Sequence, residues 1–209
     1  MRNFHLKCLG ILGAILILRG SASPLHAQLM KGDVLIEAHY GLPNLITSIV
    51  RIAVQVGNTN FTASGIGPFG ARILYQYEEK ISAGFEFNYA DSDIGYSSTG
   101  LDSLGNTVLY DYRFELPRMR FMARVDLILF QDETFDVYGT GGLGVNYTRV
   151  RFTTNDPDAF IEEYDLPFFL PVAYRIGMGG RFFVAPFLGI HGEIAIGGPF
   201  MSGGLTIKL

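Results

Sequence analysis

Charge is the first thing this 209-residue sequence has little of. Asp, Glu, Lys and Arg make up 17% of it, where an ordinary soluble domain carries about 25%. A disordered chain would be rich in charge and poor in apolar residues; this chain is 48% hydrophobic. A basic surplus is missing too. The formal net charge is -4, so no nucleic-acid partner is expected. Cysteine occurs once, as Cys8, and tryptophan not at all. Beyond Cys8 there is no thiol for a disulfide, a thiolate nucleophile or a zinc-thiolate cluster. Long apolar runs are also absent past the N-terminus. Without a run of roughly 18 such residues, no transmembrane helix accounts for the hydrophobicity.

The N-terminus reads as an address. Arg2 and Lys7 form a basic region, Leu9 to Leu18 an apolar one, and cleavage is expected after Ala27, leaving Gln28. The apolar stretch is too short to serve comfortably as an anchor. Cys8 lies inside this leader, and Leu6 and Lys7 before it do not suit a lipoprotein attachment site. Residues 1–27 are therefore taken as a signal peptide and 28–209 as one domain, with no further domain expected after it.

Glycine (26), phenylalanine (17) and tyrosine (11) are abundant, and from residue 33 they fall into a period of two. Such alternation marks strands with unlike faces. Eight segments are legible, at roughly 33–42, 67–78, 81–96, 107–129, 135–153, 171–184, 187–197 and 200–209. In the third, Ile81, Ala83, Phe85, Phe87 and Tyr89 oppose Ser82, Gly84, Glu86 and Asn88. In the seventh, Leu188, Ile190, Ile194 and Ile196 oppose Gly189, His191, Glu193 and Ala195. An apolar face about ten residues long is what a tilted strand needs to cross a bilayer.

Alternation does not say which face points inward. A soluble lipocalin-type barrel hides the apolar face, and a membrane barrel inverts it. Three observations favour inversion. The polar face is rich in glycine, serine and threonine with isolated charges, as suits a narrow filled lumen. Aromatics gather at the ends of the apolar face, with Tyr40, Tyr89, Tyr147 and Tyr174 at one end and Tyr75, Tyr77 and Phe182 at the other. Such girdles mark membrane interfaces. The connections alternate between short and long, except for a short last outer one near Gly197–Pro199. The fold expected is all-β: an eight-stranded antiparallel up-and-down transmembrane β-barrel.

The sequence resembles the small eight-stranded outer-membrane β-barrel proteins of Gram-negative bacteria, of the OmpX/OmpA-barrel type, and most of all the barrel-only outer-membrane proteins of Bacteroidota. The resemblance spans the chain. It rests on the opening G-D-V-L-I-E-A-H-Y-G, the middle I-G-P-F-G-A-R-I-L-Y-Q-Y-E-E-K-I-S-A-G-F-E-F-N-Y and the closing G-G-L-T-I-K-L. The final residue is Leu209, where such proteins usually carry an aromatic. The resemblance implies an outer-membrane location with lipid and lipopolysaccharide as neighbours.

On this reading Glu37, His39, Arg72, Glu86, Arg118, Arg120, Arg124, Asp126, Arg175, Arg181, His191 and Glu193 face the lumen. An eight-stranded barrel is just wide enough for side chains to fill, so a salt-bridged plug is expected. A narrow pore for small solutes, weakly preferring anions, is the alternative. Outside, Asp91, Asp93, Asp102, Asp111, Glu115, Asp156, Asp158, Glu162, Glu163 and Asp165 stand against Arg51, Arg113, Arg149 and Arg151. These read as solvated hairpin tips, with divalent-cation binding as the sharper reading. Segments three to five run past bilayer length and could offer an edge to an extracellular partner. Residues 44–56 read either as a short helix at the outer interface or as a strand extension.

No cofactor or metal site is expected. Barrel enzymes that modify lipid A share this architecture but need an outward serine–histidine pair. His39 and His191 are the histidines beyond the leader, and both are assigned to the lumen. The function expected is structural, adhesive or surface-interacting, without catalysis.

Overall fold

A computed structural model describes residues 28–55, 61–101, 105–157, 163–167 and 171–209. The leader 1–27 lies outside them. Eight strands close into a barrel: β1 (Val34–Leu42), β3 (Phe69–Glu78), β4 (Ile81–Ala90), β7 (Arg118–Gln131), β8 (Phe135–Thr154), β10 (Val172–Ala185), β11 (Leu188–Ile196) and β12 (Met201–Lys208). Each is antiparallel to the next in this order. The ring closes where β12 pairs with β1, from Leu35↔Lys208 to Leu42↔Met201. Leu209 completes the seam by exchanging two backbone hydrogen bonds with Val34, at 2.9 and 3.0 Å.

The period of two explains both the strands and their orientation. On β11 the isoleucines at 190, 194 and 196 lie on the outer wall, while His191, Glu193 and Ala195 are buried inside. The same inversion holds around the ring, with Phe85, at 75% exposure, the most open of the outer apolar side chains. Turns at one end are short, with two or three residues between β3 and β4, β7 and β8, and β10 and β11. That end is sealed. Leu29, Leu35, Leu74, Ile128 and Phe183 form a buried apolar cluster. The segment before β1 is held beneath the barrel by Gly32 N donating to Gln76 O (2.9 Å) and Gln131 Nε2 to Leu29 O (3.0 Å).

The other end differs from the expectation. Segments three and four do not run on as single barrel strands. The third breaks at Asp91–Ser92 and resumes as β5 (Asp93–Leu101); the fourth begins as β6 (Thr107–Glu115), breaks at Leu116–Pro117 and resumes as β7. Pro117 has no N–H and restrains Leu116 before it, so a ladder cannot run through unbroken. Leu116 N instead donates to Ser92 O (2.8 Å), locking the two breaks side by side. Of the segments expected to overrun, only β8 continues as one barrel strand, 20 residues long. Its inner part pairs with β7, and Arg151–Thr154 pair with β6. With β2 (Phe61–Ser64) and β9 (Glu163–Pro167), the hairpin β5–β6 and the end of β8 make a five-stranded outer sheet in the order β2–β5–β6–β8–β9.

Residues Leu45–Gln55 form a helix, α1, which settles the open choice between helix and strand in this stretch. It is tied down on one side. The single hydroxyl proton of Thr47 is shared between Ser92 Oγ (3.2 Å) and Ser64 O (3.4 Å), and Arg51 Nη2 donates to Ala63 O (3.0 Å). Ile49 and Ile52 point away from those contacts and are exposed. Asn44, just before the helix, donates to Asp91 O (2.7 Å) and Ile66 O (3.1 Å), clasping the barrel rim.

Candidate functional site

The lumen is filled by one connected set of charges. Glu37 accepts from Arg72 Nε, from Arg181 Nε (2.6 Å) and from the Thr206 hydroxyl (3.0 Å). Arg181 reaches Asp126 with Nη2 (2.6 Å) and Asp136 with Nη1 (3.2 Å). Arg124 donates to Asp126 (2.7 Å), Glu86 (2.6 Å) and Glu193 (2.6 Å). Glu193 is the hub, taking further bonds from Arg72 Nη1 (2.7 Å), Arg175 Nε (2.6 Å) and the Tyr138 hydroxyl (3.1 Å). The Tyr138 ring lies under the Arg181 guanidinium at 3.9 Å, a cation–π contact. These side chains are almost wholly buried, and buried charge is tolerated only when paired and hydrogen-bonded.

The two histidines flank this set, with ring centroids 6.3 Å apart. Thr206 gives its only hydroxyl proton to Glu37, so at 2.9 Å it accepts from His191, whose Nδ1 carries the proton. Asn88 Nδ2 donates to Glu86 (2.6 Å) while its Oδ1 accepts from His39 Nε2 (2.8 Å).

Eleven of the twelve residues assigned to the lumen are buried inside the barrel; the twelfth, Arg118, is half-buried at its outer mouth. Asp136, Tyr138 and Asn88 belong to the same set. Asp136 is a fifth carboxylate beyond the four expected. Its signal was parity, since it shares a face with Tyr138 and Thr140, but it sits beside a turn. All seven girdle aromatics stand on the outer wall, Tyr40, Tyr89, Tyr147 and Tyr174 toward the outer sheet, and Tyr75, Tyr77 and Phe182 toward the sealed end.

Three of the acidic outer residues stand on strands and not at the expected hairpin tips, while Asp156 lies in the connection after β8. Asp93, Asp111 and Glu115 lie on β5 and β6. Arg113 pairs with Asp93 and Glu115, Arg151 Nη1 reaches Glu115 (3.4 Å), and Ser97 donates to Asp111 (2.7 Å). All but Arg113–Glu115, which lies within β6, join neighbouring strands and hold them in register because cross-strand neighbours touch. Tyr112 donates to Asp156 (2.7 Å), a bond that pushes its phenol above the ordinary range. Asp102, Asp158 and Glu162 lie outside the described residues, as do the side chains of Glu163 and Asp165. Among the described residues, no group of three or more His, Cys, Asp or Glu could hold a metal ion.

The opposite face of the outer sheet is aromatic. Phe61, Tyr96, Tyr112 and Phe152 form a row across four strands, with successive centroids 4.5, 5.8 and 6.3 Å apart. By parity this face continues the lumen side of β4, β7 and β8, so the strands change from charged to aromatic as they leave the barrel.

A closed eight-stranded barrel with a polar interior, an apolar exterior and aromatic girdles has the architecture of the small outer-membrane barrels. Among solved structures, the chain is similar in fold to Ail, the attachment invasion locus protein of Yersinia pestis, at 14% identity and a TM-score of 0.41, covering 86% of this chain and 96% of that one. A second structure, Ail in complex with the heparin analogue sucrose octasulfate, matches at 15% identity and a TM-score of 0.38, with the same coverage. No family model matches the chain, and no curated protein matches it.

Proposed function

We propose that this is an integral outer-membrane protein whose barrel is a closed anchor and whose working surface is the outer sheet. Its role is structural, adhesive or surface-recognising, and not catalytic. The observation that carries the reading is the contrast between the two halves. At its centre the lumen spends its charges on one another: Glu193 alone takes three arginines and a tyrosine. The apolar cluster around Leu74 and Phe183 shuts the inner end. The outer sheet instead holds a half-exposed aromatic row on one face and a charged ladder on the other. A glutamate saturated by guanidinium groups is poorly placed to act as a general base, which supports the non-catalytic reading. Its neighbours on this reading are membrane lipid and lipopolysaccharide along the wall, and an extracellular partner at the sheet. Export follows the leader, with cleavage after Ala27.

Planar-bilayer recording of the refolded protein tests the anchor. The expected result is no stable conductance, and steady anion-selective steps would overturn it. Fractionation tests the location: the protein should resist urea extraction from membranes and show heat-modifiable mobility on gels. Recovery from the soluble periplasm would refute it. Replacing residues 94–114 by a short turn should leave a folded barrel that no longer adheres to host or neighbouring cells.

A further inference from the structure

Two arginines are left over from the lumen's pairing. Arg72, Arg124, Arg175 and Arg181 each hold at least one carboxylate within 2.7 Å. Arg120, on the same inward face of β7, is 7% exposed, and its hydrogen bond is Nη2 to the Tyr174 carbonyl at 2.9 Å. Arg118 stands two residues away on that face and is half-buried. Among the described residues, neither has a carboxylate at ion-pair distance. Asn88 faces Arg120 across β4 and β7 and is already committed to Glu86 and His39. A buried guanidinium with no counter-charge is costly, which is why buried charges are otherwise paired.

The surroundings leave room for the missing partner. Arg118, Arg120, Asn88, Pro68 and Pro199 line a cavity of about 10 Å³ at the outer mouth of the lumen. That is about the space one water-sized sphere occupies. Gly198 keeps the approach open. A Cβ there would meet Arg175 Nη1 at 2.5 Å and Arg120 Nη1 at 2.8 Å, so two guanidinium groups converge beside a residue without a side chain.

We propose that Arg118 and Arg120 form a binding site for one phosphate or sulfate group. One oxygen enters the cavity, and the others stay in the mouth above it. Arginine suits this task because its planar fork matches an oxyanion with two parallel hydrogen bonds. The site stands whether or not the outer sheet binds a partner, because it rests on the barrel alone.

The test is thermal unfolding of the full refolded chain in zwitterionic detergent, read by heat-modifiable gel mobility. Inorganic phosphate and sulfate are compared with chloride at matched ionic strength. Binding to the folded state should raise the midpoint with the logarithm of the anion concentration once that exceeds Kd, by roughly 5–10 °C at a hundredfold excess. Glucose 6-phosphate separates the sources: the same rise at a lower concentration than inorganic phosphate requires marks a sugar-borne group, and at an equal concentration a free anion. Arg120→Gln should abolish the rise while unfolding no earlier than the parent in chloride, since it removes an uncompensated charge. Lys31→Gln, at the sealed end, should keep the full rise. No anion-dependent rise in the parent, or an equal rise in Arg120→Gln, overturns the proposal. If Arg120→Gln fails to refold, Arg118→Gln decides on the same readout, expected to weaken the anion effect at least tenfold.

Discussion

Glu193→Gln probes the lumen at its hub. The amide keeps the volume of the carboxylate, so no cavity opens and the effect is electrostatic. Its neighbours fare unequally. Arg72 keeps Glu37, and Arg124 keeps Glu86 and Asp126. Arg175 keeps a single distant carboxylate, Glu86 at 3.6 Å, beside long hydrogen bonds to Ser202 Oγ (3.4 Å) and Pro199 O (3.5 Å). The new NH2 group must also face guanidinium donors that need an acceptor. Removing one partner from a buried ionic set costs about 3–5 kcal/mol, a large share of the stability of a single domain. Urea unfolding of the protein refolded into vesicles measures it, followed by far-ultraviolet circular dichroism because there is no tryptophan to report. Adding Arg175→Gln removes the stranded charge. The double variant should therefore be more stable than the sum of the singles by about 0.5–3 kcal/mol. A Glu193→Gln cost below about 1 kcal/mol, the level of an exposed ion pair, would mean the lumen is solvated and would refute the closed anchor.

Other outcomes follow from the same geometry. Phe85→Arg puts a charge midway up the outer wall and should cost about 2–4 kcal/mol in a bilayer; a gain in solubility with no loss of stability would restore the soluble-barrel reading. Leu74→Ala in the apolar seal should cost about 2–5 kcal/mol, measured by the same urea titration. Tyr138→Phe keeps the ring under Arg181 but loses the hydroxyl between Arg72 and Glu193, for about 1–3 kcal/mol. Arg113→Ala, on the exposed ladder, should shift the urea midpoint little, and that small cost should vanish in high salt.

The barrel was legible because a closed sheet with unlike faces writes its whole design into residue parity. Phe85 and Glu86, or Ile190 and His191, could not exchange faces without a one-residue slip, and a slip would invert the entire strand. Parity also collected the lumen charges from strands distant in sequence. It could not show where a strand leaves one sheet for another. Ala90, Ser92 and Ile94 keep the same alternation across the break, so 81–96 read as a single strand. Pro117 was the local clue, and its weight came from Leu116 N reaching Ser92 O across the hairpin. Residues 45–55 were ambiguous because Ile46, Ile49, Val50 and Ala53 fit a helical stripe while Val50, Ile52 and Val54 fit a strand. Tertiary hydrogen bonds from Thr47 and Arg51 decided for the helix. The unpaired state of Arg118 and Arg120 was invisible, because sequence counts charges without saying which ones meet.

The shared strand β8 has a mechanical consequence. A tether pulling on the outer sheet transmits its load along β8 into the wall, where β7 and β10 grip it on both sides. Force along a strand must shear many ladder bonds together, whereas force across a strand peels them one at a time. The outer hairpin β5–β6 hangs instead from the breaks at 91–92 and 116–117, where the two strands can separate bond by bond. Under tension the hairpin would give way first, leaving β8 and the barrel behind as an intact rivet.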